Sequence, residues 1–283
     1  MAAIGQQWIT TAVLGAAMIG ALSPVTGQAQ QFECATSNVT AARVATQAVV
    51  AAVVTGVEYR DMSRQRSWHM AQETNRAAIL ADPSSHLHAL GSYHMARNLG
   101  ASTCATPADA RRIALKGAAI SLAIGIAKET SDGVYNGFST TDLAVDALGA
   151  SYAVAQAYVP VLQHITPTFS VAPQAFTGTR GPAGALTNYA HQTVWMSANV
   201  HDMLPTSAAR AWPSAVRLSV GRRAYGDNKT ASDYVVGLDV DFERLPGSNP
   251  TWMRVKHLMH NVRLPGPAMV INAHGTRTVG LYW

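Results

Sequence analysis

Apolar positions recur with a helical period through the first half of the chain and with a period of two in the second. Segments 40–59 and 63–80 read as helices, the latter more polar. Three better-bounded helices follow. The first covers 83–99, with Asp82 as N-cap, Pro83 at the first helical position and Gly100 as the stop. The second covers 107–129, capped by Thr106, with Pro107 first and Asp109 where a capping box places an acid. The third covers 140–159, with Ser139 as cap and Pro160 ending it. Beyond residue 160, β-branched and aromatic runs predict strands at 192–197, 215–221, 233–242 and 276–283, and a short helix over 249–262. Within 233–242, Val236, Leu238, Val240 and Phe242 alternate with Val235, Gly237, Asp239 and Asp241. The expected fold is α+β: an N-terminal antiparallel helical bundle of four or five helices over 30–165, a linker-like stretch at 166–184, and a smaller β-rich C-terminal region over 185–283. Trp283, with Leu281 and Val279 alternating before it, has the form of an outer-membrane barrel end. Four to six strands fall short of the about eight that a single-chain barrel needs, so a complete barrel is not expected.

Composition narrows the compartment. The 283 residues are 48% hydrophobic and 13% charged, which suits a folded chain with a sizeable core. Residues 1–29 read as a signal peptide, with an apolar core at 8–22 and small residues before a cut after Ala29. No Lys or Arg precedes Trp8, so an uncleaved anchor is the alternative. Cys34 and Cys104 are then the two cysteines of an exported chain, an even count that suggests one disulfide; two buried thiols are the other reading. Residues 30–159 balance ten Lys/Arg against ten Asp/Glu, whereas 160–283 carry eleven against six. That C-terminal excess favours an anionic partner such as the envelope membrane surface or lipid headgroups. The basic residues are unclustered, which argues against nucleic acid. The run Ile113–Ala127 is interrupted by Lys116 and is shorter than the ~20 apolar residues of a spanning helix. The chain is therefore expected to be exported, and either periplasmic or peripherally associated with the outer membrane.

Candidate chemistry concentrates in four acids. Asp142 lies three residues after the cap Ser139, where it serves helix initiation. Glu129 sits at a helix C-terminus, where the dipole disfavours it. Stepping back by fours from it gives Gly125, Ser121 and Gly117, a stripe of small residues that lets another helix approach. Asp146 shares its helix face with Gly149, Ala150 and Ala153, so it needs a partner, a proton or a cation, unless it faces solvent. Short connections make the three helices antiparallel neighbours. Asp82 with His86, Glu129 with Asp132, and Asp142 with Asp146 then converge at one end. His86 and His88 point to different faces of their helix, and His257 with His260 reads as a solvated helix surface. Trp195, Trp212 and Trp252 read as core. No phosphate-binding loop, serine elbow, paired-cysteine motif or dinucleotide fingerprint is found.

The stretches "DPSSHLHALGSYHMAR" (82–97), "KETSDG" (128–133), "GFSTTDLAVDALG" (137–149) and "QTVWMS" (192–197) resemble the YfiM-like family of predicted periplasmic lipoproteins, whose function is not established. The helical part is more distantly similar to VanZ-like membrane proteins. The resemblance implies that Asp82, His86, Tyr93, Glu129, Asp132, Gly133, Phe138, Ser139, Asp142, Asp146 and Gly149 form the family's polar cluster. Pro83 stands where relatives carry Lys, and Asp146 where they carry Asn. Both changes make the cluster more acidic and favour a bound cation. Cys34 follows Gln-Phe-Glu instead of a lipobox, so lipidation is not expected.

Two functions fit these features. One is an exported cell-envelope protein acting as a structural or headgroup-binding module around a buried His/carboxylate cluster. The other is a metal-assisted or acid–base hydrolase of an envelope lipid or phosphoester, with His86, Glu129, Asp142 and Asp146 as catalytic groups. One histidine among carboxylates suits a hard or borderline divalent metal as cofactor.

Overall fold

Small residues decide how the long helices meet. A computed structural model describes residues 67–72, 83–100, 107–177, 191–225, 228–272 and 275–283. The expected signal peptide, the helix at 40–59, Asp82, Cys34 and Cys104 lie outside the described residues. Helices α1 (Pro83–Gly100), α2 (Pro107–Asp132) and α3 (Thr140–Tyr158) pack on one another. The stripe Gly117, Ser121, Gly125 and Glu129 on α2 is buried along its length. At the α1–α2 contact the Ser92 and Ser121 hydroxyls lie 2.8 Å apart. A Cβ at Gly149 would overlap the carbonyl oxygen of Ala89, so α1 and α3 touch backbone to backbone. One at Gly125 would lie 2.6 Å from Asp146 Oδ2.

From α3 a 3₁₀ turn at Pro160–His164 leads directly into strand β1 (Ile165–Val171). Strands β2 (Gln192–Ala198), β3 (Val216–Tyr225), β4 (Asn228–Val240), β5 (Gly266–Ile271) and β6 (Arg277–Tyr282) follow. They form one six-stranded antiparallel meander in chain order. Two single-turn helices, α4 (Val200–Met203) and α5 (Thr206–Ala209), join β2 to β3. Helix α6 (Pro250–Met259) joins β4 to β5.

The sheet curls on itself. After α6, residues 261–263 lie along the free edge of β1. Phe169 donates its N–H to Asn261 O at 3.2 Å and accepts from Arg263 N–H at 2.8 Å. The Arg263 guanidinium then donates to Tyr282 O at 2.9 Å and Leu238 O at 3.0 Å, and lies 3.7 Å from the centroid of the Trp195 ring. One cation thus ties β2, β4 and β6 together. The face turned inward by the curl mixes polar and apolar groups: Thr168, Ser197, Ser219, Arg217 and Asp239 are buried there beside Trp195, Val235, Ala268 and Val270.

The expected helical bundle with a smaller β-rich region is not what forms. Among the described residues the long helices number three, and α1 packs against β1 and β2 as well as against its neighbours. The physical reason is the helices' interior. Its buried apolar cluster is Tyr93, Ala96, Ala118, Ala150 and Ala153, mostly methyl groups, too little apolar area to hold a bundle alone. The β part is the more extensive sheet of six strands. Residues 166–171 of the linker-like stretch belong to β1. Pro167 is tolerated there because β1 is an edge strand: Phe169, of the same parity, turns its N–H and C=O away from β2. Residues 67–72 of the helix expected at 63–80 are extended, and Met70 forms a parallel bridge with Phe138.

Two glycines on the helices should respond in opposite directions. Gly149→Ala forces α1 and α3 apart and should destabilise by about 1–3 kcal/mol. Gly91→Ala, where an added Cβ meets nothing within 4 Å, should stabilise by roughly 0.5–1 kcal/mol. Denaturant unfolding of both variants checks this, and equal effects would deny the backbone contact.

Candidate functional site

The antiparallel seam between α1 and α2 leads to the site. One turn before Ser92 stands His88, and two turns beyond Ser121 stands Glu129. Helix α3 brings Asp142 from its first turn and Asp146 one turn later. His88 Nδ1 lies 3.6 Å from Asp146 Oδ1. His88, Glu129 and Asp142 each offer a ligand atom, and these atoms all lie within 4.8 Å of one another. These three residues could hold a metal ion.

The cap of α3 shapes the acid pair. Ser139 Oγ accepts the Asp142 N–H at 3.0 Å, as a helix N-cap should. The reciprocal half of the capping box is not made by Asp142, because Ser139 N–H donates instead to Glu129 Oε2 at 3.1 Å. Helix initiation therefore accounts for the backbone of Asp142 without consuming its carboxylate. Glu129 is 1% exposed, and its Oε1 accepts no hydrogen bond. Lys128 Nζ stands 3.5 Å from that oxygen but gives its hydrogen bond to Asp132 Oδ2 at 2.7 Å.

Electrostatics follow from this crowding. Burial, with a smaller contribution from the Asp142 charge, lifts the Glu129 carboxyl above its ordinary range against the pull of Lys128, the Ser139 N–H and His88. At His88 burial disfavours the charged ring, as does Lys128. The facing Asp146 carboxylate and the Asp142 charge outweigh them and hold the imidazole above its ordinary value.

No family model, no curated protein and no solved structure matches the chain.

Of the residues singled out in the sequence, Glu129, Asp142 and Asp146 come together as expected. The histidine that joins them is His88. The side chain of His86 lies outside the described residues, and the helical period sets position 86 about 200° from position 88 around α1. The other named residues serve packing. Asp132 is held by Lys128. Gly133 has no room for a Cβ because the Trp68 indole lies against it. Gly149 makes the α1–α3 contact. Tyr93 donates to Gln156 Oε1 at 3.0 Å in a separate network, and Gln156 in turn donates to Leu162 O and Ile165 O at the entry to β1. A signal for His88 was present: it stands at four-residue spacing with Ser92 and Ala96, matching the small stripe on α2.

A second polar cluster inside the sheet was missed. Arg217 Nη2 donates to Asp239 Oδ2 at 2.7 Å, both side chains 1% exposed. His260, expected on a solvated helix surface, is mostly buried with Nδ1 3.4 Å from Asp241 Oδ1. Burial works against the Asp241 charge, yet His260 and Arg217 hold its carboxyl below the usual range. The alternating acids Asp239 and Asp241 were the available signal.

Both His88 and Glu129 have raised values in the folded chain, so folding takes up protons. The stability each supplies is complete below its unfolded value and is lost as pH rises through its folded value. The contribution of this pair should therefore fall as pH rises, opposite in sense to buried His94, whose value is lowered to about 3, so the readout is the difference between wild type and Glu129→Gln, which should lose less stability on raising the pH. An NMR titration should place the His88 ring above its ordinary 6.5, and Asp146→Asn should lower it. A ring unaffected by Asp146→Asn would show that the 3.6 Å approach carries no charge interaction.

Proposed function

We propose that the chain is an exported cell-envelope protein that holds a divalent cation at the joint acid end of α1, α2 and α3, as a structural or headgroup-binding module. The observation carrying this is Glu129: an acid 1% exposed, with one oxygen accepting no hydrogen bond, within ligand reach of His88 and Asp142. A buried carboxylate is costly unless a proton or cation compensates it. Asp146 on the Nδ1 side of His88 is the kind of partner that orients metal-bound imidazoles. One nitrogen and two carboxylates suit a borderline ion such as zinc or manganese better than calcium, which takes six to eight oxygens. The apolar leader at 8–22 and the resemblance to YfiM-like sequences support the envelope placement.

The hydrolytic reading draws on the donor count. Three protein ligands leave a coordination position for water, as catalytic zinc sites do. Metal-dependent turnover of a phosphoester, abolished by Glu129→Gln, would establish that reading over a structural one.

Calorimetry of the EDTA-stripped full chain with zinc, manganese, magnesium and calcium should show one ion bound, with zinc or manganese preferred. Saturation at 100 times Kd should add about 2.7 kcal/mol of stability. Glu129→Gln and Asp142→Asn should abolish binding, and Asp146→Asn should weaken it about 10–100-fold. Asp132→Asn, outside the donor set, should leave it intact. Absence of binding at millimolar ion, or binding indifferent to Glu129→Gln, overturns the proposal.

A further inference from the structure

We propose that the outward face of the curled sheet is a lipid-facing surface immersed in the acyl region of one leaflet of a membrane. This rests on the direction of side chains and is independent of the cation site.

The sheet is inside-out. Along β3, Arg217, Ser219 and Gly221 are buried while Leu218 and Val220 are exposed. Along β4, Asp233 and Asp239 are buried, with Val235 between them, while Leu238 and Val240 are exposed. At the end of the meander Val279 is 81% and Leu281 73% exposed. A sheet with one face in water turns its polar residues outward, whereas a sheet in lipid alternates the opposite way. The buried hydroxyls find partners within the curl: Ser197 Oγ is 3.0 Å from Thr168 Oγ, 2.8 Å from Ser219 Oγ and 3.0 Å from Asp239 Oδ2.

Register makes the exposed positions continuous. Met196, Val220, Val236, Met269 and Val279 are successive cross-strand partners over five strands. At about 4.8 Å between strands that row is roughly 19 Å wide. On β3 the outward apolar positions Val216, Leu218 and Val220 rise about 14 Å. That is half the ~30 Å hydrocarbon core, so the band fits one leaflet and does not span. The same holds for the helices, none of which, among the described residues, is long and apolar enough to cross a membrane.

The margin of the band has the chemistry of a headgroup boundary. On one rung beyond Val220, Arg222 pairs with Tyr234, Tyr234 with Ile271, and Ile271 with Arg277. Two cations and a tyrosine thus follow the apolar rows on one side, where phosphates would meet them. Helix α2 independently repeats the inversion. It buries Gly117, Ser121 and Gly125 and exposes Leu115, Ile120 and Ile124, with Arg112 and Lys116 exposed in the preceding turns of the same stripe. Small residues inside and long apolar ones outside mark helices packed in lipid. A second copy of the chain is a poorer occupant, because the outward face of a curled sheet is convex and a rigid partner covers little of it, whereas acyl chains conform to it.

The test is flotation of the purified full chain, transferred from mild detergent, with neutral phosphatidylcholine vesicles and with vesicles containing phosphatidylglycerol. The wild type should float with both, more completely with the anionic set at low salt. Val220→Asp and the edge-strand double change Val279→Glu with Leu281→Glu should each reduce the bound fraction at least fivefold, with thermal melting in detergent unchanged for the edge variant. Arg222→Gln with Arg277→Gln should remove only the preference for anionic vesicles. A chain that stays monomeric without detergent and does not float overturns the proposal. So does a chain that dimerises without detergent and becomes monomeric on Val279→Glu, which would assign the face to a second copy.

Discussion

Buried polar groups must find partners, and this chain places them at the centre of both its halves. Among the helices the centre holds His88, Glu129, Asp146, Ser92 and Ser121. In the sheet it holds Arg217, Asp239, Arg263 and a run of hydroxyls. The arrangement of the elements follows from satisfying these groups at short range. Helix backbones close in until serine meets serine, and the meander curls until Arg263 reaches two strands and an indole. Apolar contact is secondary, since among the described residues the sheet's buried apolar cluster is Trp195, Val235, Ala268 and Val270, with Tyr282 packed against it.

Such a centre is demanding. A desolvated pair such as Arg217 and Asp239 contributes little net stability while both members are present, but leaves a severe deficit when one is lost. Arg217 Nε and Nη1 and Arg263 Nε remain without hydrogen bonds, so the satisfaction is not complete. The cost of a polar centre is offset by specificity of geometry: hydrogen bonds fix directions that methyl contacts leave loose.

Period and punctuation were legible in the chain, but phase was not. Helices α1 to α3 appear within a few residues of where proline, serine and glycine place them. Strands β2, β3, β4 and β6 also fall where apolar alternation predicts them. The alternation in β4 said that two faces exist without saying which is inward, and here the acids are. Strands β1 and β5 were hidden by Pro167 and Pro267, which read as loop when the strand's place at an edge or a strand start is unknown. The convergence of Glu129, Asp142 and Asp146 was readable from cap positions and loop lengths. The choice of His88 was not, because two histidines two residues apart differ only in rotation about α1, and that rotation is fixed by the contact of Gly149 with Ala89.

That contact has a further consequence. With no side chain between Gly149 and Ala89, the gap across which His88 and Asp146 face each other is set near that point by two peptide backbones in contact. Side-chain rotamers can adjust a donor by turning, but the frame carrying the donors cannot tighten. The site is therefore a calliper with a stop. Were an ion held there, the frame could open for a larger one at the expense of the helix seam, but would resist closing on a smaller one.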